Sequence, residues 1–311
     1  MPGAAPTRHV AVAAFPLSSH PSAMLDLARG IADSAPTGTV FSFFNTESSN
    51  AKLFRDVDRF GGIRRCDVDY GFDGGPSQVA VASYQRVAPE SLRGAVRRAE
   101  EEVGLKVRCM LTDSFVWFAG VMAEEMGIPW VAFRTAGASL LLVLLEIDSV
   151  RARLGTTELE HKTLDFIPGL STIRGNDIPL GFMSKAINVP FTFPNMLYKM
   201  SKELHRATIV PVNSFHDLES SAVEQMQARS PFNAGMMERM LRVGVMVEGG
   251  VFTKRGMTKA LRTVLKSEEG EAMRERAGEL KSAALEAVNE DGDSARNYRE
   301  LVRIVCGNDP L

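Results

Sequence analysis

From residue 9 to about residue 133, short β-rich apolar runs alternate with stretches of helical periodicity, the pattern of βαβ units wound around a parallel sheet. Residues 10–15 read as the first strand. After Pro21, a favourable helix start, Met24, Leu25, Ala28 and Ile31 recur on one helical face. Residues 39–44, 63–68 (the weakest), 107–112 and 129–133 are the next strands; residues 90–103, 115–126 and 135–153 are helices between and after them. The charged face of 90–103 is solvated, and the leucine run in 135–153 implies burial on nearly all sides. Residues 191–207 read as helix, 208–212 as a last strand, and 217–229 as helix, with Asn213-Ser214-Phe215 between them reading as its cap rather than as a ligand contact. The glycine-rich stretch 67–78 and the irregular stretch 155–190 are loops. Beyond residue 230 the pattern turns almost wholly helical, at 234–243, 254–266, 267–288 and 294–305, with 244–247 the one short strand candidate.

If 10–15, 107–112 and 129–133 are neighbouring parallel strands, His20, Asp113 and Thr135 all stand just beyond their carboxyl ends, where open α/β sheets bind ligands. Each residue has a plain structural role beside a chemical one. His20 is a solvated loop histidine or a base, Asp113 a helix cap or the group that orients that base, and Thr135 a cap or a ligand contact. Aromatic residues at helical spacing are more often core than pocket.

Composition narrows the classes. Thirty-six basic against 38 acidic residues leave a net charge of −2, which gives no field to recruit nucleic acid or an anionic membrane. The longest apolar run, 136–145, is stopped by Glu146 and falls short of the roughly 20 residues a bilayer span requires. The run 9–15 is too short for a signal-peptide core. Cys66, Cys109 and Cys306 are odd in number and widely spaced, so they read as reduced thiols of a cytoplasmic protein with no metal site. Residues 71–75 lack the GxGxxG spacing of a phosphate loop.

In the phrases HVAVAAFPLSSH, FSFFNTESSNAKLF, LTDSFVWFAGVMAEEMG, FRTAG, DFIPGLS and VNSFHDLE, met in this order, the chain resembles the plant UDP-sugar-dependent glycosyltransferases, most closely the flavonoid and anthocyanidin 3-O-glucosyltransferases. The resemblance covers about 10–227, the family's acceptor-binding half, and again 233–305 around VEGGVFTKRGM, its C-terminal helices. Between them the family carries a second Rossmann-like domain, whose donor signature begins Trp-Ala-Pro-Gln, passes through His-Cys-Gly-Trp-Asn-Ser and closes with Asp-Gln. Here the two tryptophans, Trp117 and Trp130, lie in the N-terminal half, and no His-Cys pair occurs.

The resemblance therefore implies an α/β fold, a Rossmann-like parallel sheet flanked by helices, equal to the N-terminal half of a GT-B fold. Residues 1–230 form this acceptor-binding domain and 231–311 a helical remnant of the donor-binding domain, with the junction of an internal deletion at 230–233. It implies glucosyl transfer to a flavonoid or other phenolic hydroxyl with inversion. In that reading His20 is the general base, Asp113 its partner and Thr135 a contact of the transferred sugar. Ser18, Gln78, Phe115, Leu144 and Phe193 line the acceptor pocket. At Leu144 the 3-O-glucosyltransferases carry a histidine, a lost polar contact that favours some other phenolic acceptor. No cofactor is implied beyond UDP-sugar as co-substrate. The alternative is a catalytically inactive acceptor-binding or regulatory protein, self-associating through the face that the missing domain leaves uncovered.

Overall fold

The computed structural model describes residues 6–55, 62–72, 77–155, 159, 162–178, 180–214, 218–229, 262 and 267–307. Its strands are β1 (Arg8–Ala13), β2 (Thr39–Asn45), β3 (Ile63–Asp67), β4 (Cys109–Asp113) and β5 (Trp130–Phe133). Its α-helices are α1 (His20–Asp33), α2 (Glu47–Leu53), α3 (Gln78–Val103), α4 (Ala119–Met126), α5 (Ala138–Leu145), α6 (Ile147–Leu154), α7 (Leu180–Met183), α8 (Phe193–Glu203), α9 (Ser220–Arg229), α10 (Glu268–Ala287) and α11 (Asp293–Cys306). All strand pairs are parallel and the order is β3-β2-β1-β4-β5, so the winding direction reverses between β1 and β4.

Alternation along the strands builds two cores, one on each face of the sheet. Ala11, Ala13, Phe44, Met110, Trp130 and Ala132 face one core, completed by α3, α4, α5 and α8. Val10, Val12, Phe41, Phe43, Cys109, Leu111 and Val131 face the other, which is covered by Met24, Leu25, Ala28 and Ile31 of α1 and by Leu301, Val302, Val305 and Cys306 of α11. A sheet buried on both faces needs near-continuous apolar strands, and β1 and β4 are of that kind. The last helix thus packs on the first strand of the chain.

Close packing also explains one glycine. A Cβ on Gly120 of α4 would stand 2.6 Å from the Trp130 ring, far inside contact distance, and that ring is fixed by an Nε1–H donated to Thr112 Oγ1 at 2.8 Å. Gly120→Val is expected to lower the stability of the chain by about 1–3 kcal/mol, read as a lower denaturant midpoint at unchanged slope.

The elements differ from their predicted bounds where tertiary contacts decide. The helix at 90–103 begins twelve residues earlier, at Gln78, where the Ser77 side chain accepts from Ala80 N–H; Pro89 lies inside it, and burial of Tyr84, Gln85, Ala88 and Leu92 carries the helix through. Helix α2 has no apolar stripe to reveal it, because its inward residue is Asn50, whose Nδ2 donates to Asp67 Oδ1 at 2.7 Å. Helix α4 starts only at Ala119, since the residues just after Asp113 turn back on that aspartate. The predicted helix 135–153 is two helices that meet at Glu146. The predicted strand 208–212 runs parallel to β5 but makes only isolated bridges, Val131 with Ile209 and Arg134 with Val212; Pro211 within it has no N–H to donate. The irregular stretch 155–190 is held down by buried Leu164, Ile167, Leu170, Ile173 and Ile178. The expected elements at 234–247 and the junction at 230–233 lie outside the described residues, as does all of 254–266 except Arg262.

Candidate active site

The loop after β1 brings His20 over the sheet. Ser18 adopts φ +58°, rare for a residue with a side chain, and α1 opens at His20 with Pro21 in its first turn. The imidazole lies edge-on to two rings, Phe15 at 5.3 Å and Phe115 at 4.9 Å between centroids. Phe115 stacks on Phe15 at 5.0 Å and faces Phe193 at 6.1 Å, so an aromatic wall runs from the end of β1 to α8. Phe193 is partly buried, and α8 is tied to α3 by Gln85 Nε2, which donates to Thr192 O at 3.0 Å.

Asp113 ends β4, directly across the reversal in strand order from β1, and it is fully buried. One carboxylate oxygen, Oδ2, lies 2.6 Å from His20 Nδ1, and the other accepts from Phe115 N–H at 2.9 Å. A carboxylate can only accept, so His20 Nδ1 carries the proton and Nε2 is the basic nitrogen. Asp113 does not cap the following helix, whose N-cap position is Phe118; it closes the turn before that helix with one oxygen and meets the imidazole with the other. His20 keeps 17 % of its side-chain surface accessible, against none for Asp113.

Thr135 Oγ1 stands 3.4 Å from His20 Nδ1, so the three strand-end residues do converge. Thr135 is not the cap of the following helix. That helix, α5, opens at Gly137, and its N–H groups at Ala138 and Ser139 donate to the Glu219 carboxylate at 2.7 and 2.9 Å. Ser214 Oγ also donates to Glu219, at 3.3 Å. Glu219→Ala should therefore lower stability by about 1–2 kcal/mol, the worth of a helix cap, and the loss should be read in urea unfolding. Asn213 neither caps α9 nor enters the aromatic wall; its Nδ2 reaches Thr135 O at 3.5 Å.

The remaining expected acceptor residues differ in exposure. Ser18 and Gln78 are exposed, the latter at the first position of α3, and Leu144 is fully buried on α5. Two residues of the site escaped the sequence reading. Phe15 looks like the last apolar residue of a strand. Arg134, a lone charge after the apolar run 130–133, was the available signal; it is buried, with Cζ 5.4 Å from the centre of the Phe115 ring.

A separate cavity of about 670 Å³ lies between α1, the end of β5 and α11, with Leu27, Phe133, Ile209, Val212 and Leu301 among its walls. His20, Asp113 and Thr135 do not line it. Among the described residues no cluster of His, Cys, Asp or Glu could hold a metal ion, and no helix is long and apolar enough to cross a membrane.

Similarity to known proteins bears on this geometry. The chain is 40% identical over 238 residues to the flavonol 3-O-glucosyltransferase of Arabidopsis thaliana, which covers 72% of this chain and 51% of that protein. It is 37% identical over 243 residues to the anthocyanidin 3-O-glucosyltransferase UFGT of Vitis vinifera, covering 72% of this chain and 52% of the relative. The chain spans about half the length of the curated relatives it matches. Among solved structures, the UDP complex of a UDP-glucose:anthocyanidin 3-O-glucosyltransferase superposes with a TM-score of 0.84 at 21% identity, over 97% of this chain and 99% of that one. Apo UGT2 of Phytolacca americana superposes with a TM-score of 0.61 at 17% identity, over 77% of this chain and 53% of that one. No protein-family model matches the chain.

Proposed function

The chain is a homologue of the plant flavonol and anthocyanidin 3-O-glycosyltransferases with the fold of a GT-B N-terminal half, and from that premise we propose that it is the acceptor-activating part of a UDP-sugar-dependent glycosyltransferase. The observation that carries the reading is the 2.6 Å contact between His20 Nδ1 and Asp113 Oδ2 at the carboxyl edge of the sheet, where the strand order reverses.

The chemistry follows from that contact. A phenolic hydroxyl seated against Phe115 and Phe193 donates its proton to His20 Nε2 as its oxygen attacks the anomeric carbon of UDP-glucose. The carbon–oxygen bond to UDP breaks on the opposite face, which inverts the configuration, and the electron pair leaves on the diphosphate. Asp113 remains a carboxylate and stabilises the imidazolium that forms. Thr135, beside the imidazole, is positioned to hydrogen-bond the sugar. The flat aromatic wall favours a planar acceptor. The fully buried Leu144 offers that acceptor no polar partner, which extends the class from flavonoids to other phenols. The three free cysteines agree with a cytoplasmic site of action.

A second reading has its own observation. The family's donor signature does not occur in the sequence, and electrostatic stabilisation of the leaving diphosphate is often the largest catalytic contribution in such reactions. On this reading the chain binds acceptors without transferring sugar, and it self-associates through the uncovered face. The two readings part in one experiment: the purified chain is incubated with UDP-glucose and a panel of flavonols and simple phenols, with products read by mass and acceptor binding by fluorescence. Glucoside formation supports transfer, and binding without product supports the silent reading.

A further inference from the structure

The cavity between α1, the end of β5 and α11 has the build of a small-molecule site. Its volume of about 670 Å³ falls within the range of roughly 300–1,000 Å³ typical of ligand pockets. Ala23 and Leu27 of α1, Phe133 of β5, Ile209 on the bridged segment beside it and Leu301 of α11 give it apolar walls. These side chains belong to the core on one face of the sheet, whereas Phe115 and Phe193 belong to the other. The charged residues of the wall are engaged with neighbours. Asp26 pairs with Arg29, Arg299 donates to Glu290 O at 3.0 Å, and Glu300 pairs with Arg303. The Tyr298 hydroxyl hydrogen-bonds the side chain of Ser34, just past α1.

Neutral groups are what remain for an occupant. Ser294 is 4 % exposed and its hydroxyl has no hydrogen-bond partner, an arrangement that is costly unless something satisfies it. Asn213 spends its Nδ2 on Thr135 O and leaves Oδ1 open, and Asn297 makes no side-chain hydrogen bond among the described residues. A charged occupant would find no unpaired counter-charge here. A hydroxyl, donor and acceptor at once, suits both a serine and an amide. Phe133 and Tyr298 supply aromatic surface for a planar ring.

We propose that this cavity is a second small-molecule site, separate from the Phe115–Phe193 wall, for an uncharged aromatic compound that carries a hydroxyl. It goes beyond the proposed sugar transfer and does not depend on it. Asn213 holds Thr135 O, and its own N–H donates to Arg134 O at 3.0 Å, so an occupant borders the end of β5.

The test follows backbone amide signals of the isotope-labelled full chain, without UDP-glucose, as two probes are added: 2-naphthol, uncharged at neutral pH, and naphthalene-2-sulfonate, the same rings with a fixed charge. 2-Naphthol should give saturable shifts at Leu27, Phe133, Asn213 and Leu301. The sulfonate should bind there at least about tenfold more weakly, because its charge is left unpaired. Ala295→Trp, which adds an indole to the cavity from a half-buried helix position, should abolish these shifts and leave any at Phe115 and Phe193 in place. If that variant fails to fold, Ala23→Trp fills the same space from α1 and is read instead. Shifts confined to Phe115 and Phe193, equal binding of the two probes, or unchanged binding to the folded cavity-filling variant overturn the proposal. Shifts at the cavity residues on raising chain concentration alone, with none from the probe, assign the face to a second copy and overturn it too. Cavity binding in a chain that forms no glucoside leaves the site standing and counts only against the proposed transfer.

Discussion

His20→Ala is expected to reduce glucoside formation by about 10²- to 10⁴-fold at neutral pH, the usual worth of a positioned general base, while acceptor binding to the Phe115–Phe193 wall changes little. The substitution removes Nε2, the ring nitrogen of His20 not engaged by Asp113, from a side chain that keeps 17 % of its surface accessible. The deficit should shrink as pH rises. A phenol ionises near pH 10, so below that value each unit by which the pH rises supplies about ten times more phenolate, which needs no base. A variant whose loss is constant from pH 6 to 10 would show that His20 holds the site together instead of taking the proton. Unchanged product yield at neutral pH would remove His20 from the mechanism altogether.

Asp113→Asn is the second large effect, and it acts through the same imidazole. The amide keeps the size of the carboxylate, and its oxygen can still accept from Phe115 N–H. Its nitrogen would then face His20 Nδ1. Two donors cannot share that contact, so the ring moves its proton to Nε2 and accepts at Nδ1. The nitrogen needed to take the acceptor's proton is already protonated. Turnover should fall on the order of 10³- to 10⁴-fold with the fold retained, the scale known for tautomer inversion in hydrolase triads. Ring nitrogen chemical shifts should report the exchanged tautomer directly. A variant that keeps the Nδ1–H form would show that the 2.6 Å contact does not set the tautomer.

The contrast with His9 shows why position within the fold matters more than residue type. His9, on β1, spends both ring nitrogens on the protein: Nδ1 donates to Leu105 O at 3.1 Å, and Nε2 meets Ser42 Oγ at 2.8 Å. Burial holds its pKa below the ordinary histidine range, so it is a neutral pin between strands. Eleven residues later, past the end of the same strand, His20 has only Nδ1 engaged among the described contacts.

What the sequence determined by itself was local and periodic. Alternating apolar runs marked all five strands, and the spacing of Met24, Leu25, Ala28 and Ile31 gave the buried face of α1 without error. Strand-end logic brought His20, Asp113 and Thr135 forward, because a parallel sheet places the residues after neighbouring strands at one edge. Tertiary structure decided whatever depended on a partner distant in the chain. It gave the cap of α5 to Glu219 instead of Thr135, a contact 81 residues apart that no local spacing encodes. It carried α3 through Pro89 by burying Tyr84 and Leu92, packing energy that outweighs one lost backbone bond. It also turned the lone arginine of FRTAG inward over the Phe115 ring and towards Met200 of α8, contacts set by elements distant in the chain.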